Sequence, residues 1–479
     1  MNYPLSERIE EVKKILTSQD IIVYEFEALS GKKFALIYAD GIVDKMMMGE
    51  LIAKPLRDAK EDDDADAIKK LLYAPEVKGC ADIKQAIEDI SAGDTVLFID
   101  GEEQFFTVGV KSPPGRAVAE PPTQVTVKGP REGFTEDIKV NLGLVRKRIK
   151  SDKLQVKTIT TGERSQTAVA ICYLEDVCRD DVVKKVEKAI ENHEIDLVPD
   201  SSYIAGFISR RPRSMFRRNS TCEKPDVFCA KICEGRVGLI VDGSPIALTV
   251  PYVLTEDFQE AEDYYVVSYR ATFLRFLRVC AVIIGIMLPA VYVCAQLFKI
   301  QLIPSKLLFK IASSVAGIPL SPSVEIFLTL IILEVLNEAA IRMPKYVGLA
   351  LSVVGALVLG DTAVKAGIIS TPAVIIIAFS AICLYTVPDF VETATLLRLL
   401  YLIIAGSLGM FSLVLMSAFI LCYLVSEADF GVPLLAPYAP LVRGDLSDAL
   451  YKANTGQLKN RPSLLKTKNK LRMRTSNER

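Results

Sequence analysis

EGRVGLIVDG, Glu234 to Gly243, and AGDTVLFIDG, Ala92 to Gly101, are built alike: an apolar run ends in Asp-Gly and leads into a second apolar run. Glycine accepts the positive φ of a tight turn, so each stretch predicts a β-hairpin. Each follows a predicted helix, ADIKQAIEDI in one case and KPDVFCAKI in the other. Upstream, SGKKFALIYADGIV (Ser30 to Val43) matches TGERSQTAVAICYLEDV (Thr161 to Val177) in outline. Both pass from a polar glycine turn through an apolar strand to an acidic step into a helix. Four elements recurring in one order predict two related α/β subdomains, with cores at about 25–110 and 152–255.

The intervening segment is rich in proline, which predicts an extended linker, with Thr135 capping a helix that runs to about Ile149. The acidic run EDDDADA after Lys60 reads as a solvated loop, since it lacks the glycine and terminal glutamate of a calcium loop. The ten cysteines follow no paired framework. Cys222, Cys229 and Cys233 lack CxxC spacing and a nearby histidine, so they read as small buried hydrophobes rather than zinc ligands.

Composition then divides the chain. It has 479 residues, a net charge of −1 and a mean hydropathy of +0.29, high for a soluble protein. The polar residues concentrate before about 275, whereas apolar runs fill Val279 to Ser426. The fold class expected is an α/β cytoplasmic domain of two related subdomains followed by an all-α membrane domain. The boundaries are 1–112, a linker and helix at 113–151, 152–268, a membrane domain at 269–426 and a basic tail at 427–479. The charged start lacks an apolar h-region, which predicts no cleavable signal.

Four runs read as spans: Val279–Phe298, Tyr346–Gly360, Ala366–Pro388 and Leu399–Ser426. Arg270, Arg275 and Arg278 precede the first, and seven basic residues with no acidic one lie between Lys459 and Arg474. The positive-inside rule therefore places both termini in the cytoplasm, which requires an even number of crossings. A fifth segment, 324–341, is left as an amphipathic or re-entrant element that does not cross.

That segment carries a charged seam. In LTLIILEVLNEAAIRMP, Leu328 to Pro344, Glu334, Glu338 and Arg342 are spaced four apart and share one helical stripe. A charge at the bilayer centre costs roughly 2.5–3.5 kcal/mol on insertion scales. Three readings stay open. Glu334 and Glu338 form carboxylate rings along an ion pathway in an oligomer, with Arg342, Asp361 and Lys365 nearby; or the segment lies on the membrane surface; or it forms ion pairs between subunits. Glu325, about 180° round the helix from Glu334, falls outside the lining. A second cluster, Arg210, Arg211, Arg213, Arg217 and Arg218, is a candidate contact for anionic headgroups or an acidic partner, or a solvated loop. Neither it nor the net charge argues for nucleic acid. A single histidine, His193, and the absence of Walker A and GxSxG sequences argue against an enzyme. No catalytic, metal or cofactor site is expected.

EGRVGLIVDGSPIALTVPYVLTEDFQEAEDYY (Glu234 to Tyr265) and KGPREGFTEDIKVNLGLVRKRIKS (Lys128 to Ser151) resemble the A subunits of the GerA family of bacterial spore germination receptors. So do EAAIRMPKYVGLALSVVGALVLGDTAVKAGIIS (Glu338 to Ser370) and FGVPLLAPYAP (Phe430 to Pro440). The resemblance implies a subunit of a nutrient-sensing complex in the spore inner membrane. It also implies a transporter-like B subunit and a C lipoprotein as partners, and assembly of the A subunit into a ligand-gated channel for monovalent cations. The Arg210–Arg218 run departs from the family pattern, which is less basic there. A paralogous branch, the stage V sporulation AF proteins, shares the architecture.

Overall fold

The computed structural model describes residues 4–58, 65–74, 76–111, 126–209, 214–342, 360–449 and 451–473, with residues 121, 124 and 344. Two five-stranded antiparallel sheets form the N-terminal half. The first comprises β1 (Ile21–Glu27), β2 (Lys33–Ala39), β3 (Val77–Cys80), β4 (Thr95–Ile99) and β5 (Phe105–Val108), in the order β1-β2-β4-β5-β3. The second comprises β6 (Leu154–Thr161), β7 (Thr167–Leu174), β8 (Ser220–Cys222), β9 (Val237–Val241) and β10 (Ala247–Val250), in the order β6-β7-β9-β10-β8. The order is the same in both copies. The Asp-Gly turns sit between β4 and β5 and between β9 and β10, with Gly101 at φ 82° and Gly243 at φ 83°.

Helices cover both faces of each sheet, so each copy closes its own core. In the first, α1 (Leu5–Ile15) covers one face, and the turns α2 (Lys45–Met48), α3 (Lys54–Arg57) and α4 (Ala65–Leu71) cover the other. Helix α5 (Ile83–Ser91) joins α1, setting Ala86, Ile87 and Ile90 against Phe98 and Phe105. In the second copy, α6 (Ile138–Arg148) lies on one face and α7 (Asp180–Glu191) with α8 (Ser201–Ile208) on the other. Helix α9 (Pro225–Cys233) joins α6 and buries Cys222 and Cys229 beside Phe228. The cap of α6 is Asp137, whose carboxylate accepts from the Lys139 and Val140 amides. It takes the place expected for Thr135, whose hydroxyl instead donates to Asn141 Oδ1. Arg146 of α6 locks the copies together, donating to Asp20 through Nε (2.6 Å) and Nη2 (2.7 Å).

The C-terminal half is helical. Helix α10 (Ser268–Leu297) is followed by α11 (Ser305–Val315), α12 (Pro322–Arg342), α13 (Thr362–Lys365), α14 (Thr371–Leu384), α15 (Val391–Leu408) and α16 (Met410–Ser426). Among the described residues, two stretches are long and apolar enough to cross a membrane, Ser268–Leu297 and Pro388–Leu408. Helices α14 and α16 are apolar but shorter. The Leu399–Ser426 run is not one span. Gly409, at φ 74° and ψ −163°, ends α15 and begins α16, a conformation open to glycine alone. The chain folds back there, so that the Tyr401 hydroxyl lies 3.0 Å from Ser417 Oγ. The 324–341 segment is one continuous helix within α12, and the Tyr346–Gly360 run lies almost wholly outside the described residues.

The tail packs back onto the N-terminal half. Phe430 enters the core of the second sheet beside Val182, Leu239 and Leu248. Arg461 Nε donates to the Cys233 carbonyl (2.7 Å), and the Lys468 amide to that of Val177 (3.0 Å).

Candidate functional site

The site is a charged junction where the second α/β copy meets the C-terminal helices, together with a charge network one helix further in. The junction begins with Ser214–Arg218, which leads into β8. Phe216 is buried in the membrane-half core beside Phe390 and Leu397, with the ring of Tyr423 5.9 Å away. Thr393 of α15 donates to the Met215 carbonyl (3.0 Å), and Tyr423 of α16 donates to Ser214 (3.2 Å). Arg217 bridges Asp257 (3.0 Å) and Asp389 (3.4 Å), while Arg218 pairs with buried Glu427. These two arginines therefore meet carboxylates of this chain. Arg210, Arg211 and Arg213 lie outside the described residues.

Below this plug, the stretch after β10 supplies counter-charges. Glu256 is gripped by Arg236 and by Lys231 (2.8 Å). Burial alone would raise its pKa, but the two cations outweigh burial and hold it at about 2. Asp257 goes the other way. Burial pushes it up to about 6 against the pull of Arg217, and the Tyr252 hydroxyl donates to it at 2.5 Å. Asp263 receives both Arg275 (3.0 Å) and Arg278 (2.8 Å) at the foot of α10, and Arg275 continues to Asp448 of the tail (3.1 Å). Arg275 and Arg278, two of the residues read as the positive-inside signal, are thus also the fastening between helix, pre-helix segment and tail.

The second network lies among the helices. Arg398 of α15 is 2 % exposed. Its Nη2 donates to Glu334 of α12 (2.5 Å) and its Nη1 to Ser380 of α14 (3.0 Å). Ser380 in turn donates to the Gly285 carbonyl of α10 (2.6 Å), so one chain of polar contacts ties four helices. A Cβ at Gly285 would lie 2.6 Å from Leu384, which explains a glycine at this crossing. Glu325, set aside by its helical angle, is fully buried and accepts from the Ser370 amide (2.6 Å).

The charged stripe of α12 is therefore split. Glu334 faces inward onto Arg398, whereas Glu338 and Arg342 form an exposed i,i+4 pair at 2.5 Å. Asp361 and Lys365 form a similar exposed pair at 2.5 Å. His193 is exposed and stacks on Phe207, with ring centroids 4.4 Å apart. The residues that the sequence did not single out are Arg398, Asp257, Asp389 and Glu427. Arg398 immediately precedes the apolar run at Leu399, and its isolation among leucines was the available signal.

The model of the Bacillus/Clostridium GerA spore germination protein family matches residues 8–464. The chain is 33% identical over 479 residues to spore germination protein KA of Bacillus subtilis (strain 168), covering 98% of this chain and 88% of that protein. It is 31% identical over 472 residues to spore germination protein GerLA of Bacillus cereus, covering 97% of this chain and 96% of that protein. Stage V sporulation protein AF of Bacillus subtilis (strain 168) is 30% identical over 471 residues, covering 96% of this chain and 94% of that protein. A solved structure, the N-terminal domain of the A subunit of the Bacillus megaterium spore germinant receptor GerK3, matches with 25% identity and a TM-score of 0.42. It covers 53% of this chain and 97% of that one.

Proposed function

Because the chain belongs to the GerA family of spore germination proteins, we propose that it is the A subunit of a nutrient germinant receptor, converting germinant binding into release of monovalent cations. In this reading it is a homo-oligomer in the spore inner membrane, with four crossings and both termini cytoplasmic. Its partners are the transporter-like B subunit and the lipoprotein C subunit. One observation carries the transducing role. Asp389, at the foot of α15, meets Arg217 of the cytoplasmic plug, and Arg398, nine residues on, meets Glu334 of α12. A helix rises about 1.5 Å per residue, so a shift at the junction reaches the charged helix through one stiff rod.

The ion pathway of this proposal runs past Glu334, Glu338, Arg342 and Asp361. Glu338 and Asp361 present exposed carboxylates at the end of α12 and the start of α13. Repeated around an oligomer axis, they would concentrate cations. Glu334 acts differently: its carboxylate is the handle by which Arg398 holds α12.

The test is cation efflux from liposomes containing the full-length protein, with assembly checked in parallel. The double variant E338Q/D361N is expected to lower flux severalfold with the oligomer intact. Unchanged flux would remove these residues from the pathway. A second reading, a non-conducting scaffold that docks the B subunit or acts beside a dipicolinate channel as an AF-type paralogue, is favoured by the fixation of Glu334. It expects no flux from an intact oligomer.

A further inference from the structure

A cavity of about 240 Å³ lies directly under the plug. Its walls come from separated parts of the chain: Gln124 and Thr126, β8, α9 with Glu234 and Arg236 just after it, the 254–265 segment, Asp389 at the foot of α15, and Arg472 of the tail. Three bases line it, and all three are spent on two of the lining carboxylates. Lys231 and Arg236 hold Glu256, and Arg236 and Arg472 flank Glu234 at 3.7 and 3.5 Å.

Four lining carboxylates remain: Asp226, Asp257, Glu260 and Asp389. The cations that reach them stand outside the lining and are shared. Arg217 divides itself between Asp257 and Asp389, and Lys224 stands 3.8 Å from Asp226. Asp226 is only 9% exposed at its side chain. Its Oδ2 receives the Tyr265 hydroxyl (2.7 Å), but its Oδ1 is buried with no hydrogen-bond donor among the described residues. A buried carboxylate oxygen in that state carries an uncompensated desolvation cost, which disappears if a donor enters.

We propose that this cavity binds a small organic cation bearing a primary ammonium. A bare metal ion fits poorly, because no three of the acidic, cysteine or histidine groups among the described residues converge to ligate one. The carboxylates are instead spread among Val227, Ala230, Ala261, Tyr264 and Tyr265, a wall that suits an ammonium attached to a short carbon frame. Three diverging N–H donors can reach separate acceptors across the cavity. The consequence reaches the plug. A cation seated between Asp257 and Asp389 competes with Arg217 for both, loosening Ser214–Arg218 from α15.

The test uses the full-length protein in nanodiscs, at constant ionic strength, titrated calorimetrically with n-propylammonium, 1-propanol and propionate. Saturable binding is expected for n-propylammonium alone. Asp389→Asn and Glu260→Gln are each expected to weaken it at least tenfold, while Asp361→Asn, an exposed carboxylate elsewhere, leaves it unchanged. The proposal is overturned if 1-propanol or propionate binds as well, if no saturable heat appears, or if binding survives both substitutions. Two variants on different walls guard against one that fails to fold.

Discussion

The two α/β copies share strand order, yet they use the segment before the third strand in opposite ways. In the first copy this position is α4, whose Ile68 packs onto its own sheet with Leu97 and Phe106. In the second copy it is Ser214–Arg218, whose Phe216 leaves the sheet for the membrane-half core. The lesson is that duplication kept the topology while freeing one connection to become a coupling. Nothing in the sheet registers required the change, because β3 and β8 both sit at an edge, paired only with β5 or β10.

The sharpest way to break this comparison is Arg218→Gln. It removes the Arg218 side of the ion pair to the 1%-exposed Glu427 side chain, and removing one partner of a buried pair costs about 3–5 kcal/mol. Denaturant unfolding should show that loss, and hydrogen exchange at the foot of α15 should speed up. A variant as stable as the parent would refute the coupling. Ile68→Ala, the counterpart in the first copy, should cost about 2–4 kcal/mol. It should leave exchange in α15 unaltered, since its contacts are internal to its own subdomain; faster α15 exchange would erase the distinction.

The next effect is a pH dependence confined to the second copy. Asp257 rises from 3.8 to about 6 on folding. A raised folded pKa gives stability that is full below the unfolded value and is lost as pH rises through about 6. Between pH 4 and 7 the parent should therefore lose about 1–3 kcal/mol relative to Asp257→Asn; parallel stability curves would count against it. The smallest effect is expected for Arg57→Gln. This exposed arginine ends α3 and, among the described residues, donates to the Tyr24 hydroxyl (2.9 Å). Its loss should cost under about 1 kcal/mol, against several for Arg218.

Local chemistry was readable from the sequence, and distant pairing was not. The Asp-Gly turns, the helices before them and the repeat itself follow from residues within ten positions of each other, so pattern alone located them. Arg217 and Arg218 gave no such cue. Their partners lie 40, 172 and 209 residues away, and a basic run looks the same whether it meets lipid or carboxylates. Glu334 was noticed for its charge but not for its mate, because Arg398 sits in another helix. The break at Gly409 was also missed: hydropathy counts apolar residues, and only backbone dihedrals reveal that a glycine among them is a corner.

Phe430 closes the core of the second sheet from beyond the last membrane helix. During synthesis every helix must emerge before that residue does, so the second α/β copy keeps a gap in its hydrophobic interior until the helical half has been made. A chain that stops short of Phe430 carries an unfinished core, and one made in full closes it. Completion of the second copy thereby depends on the helical half, an order of assembly written into the chain.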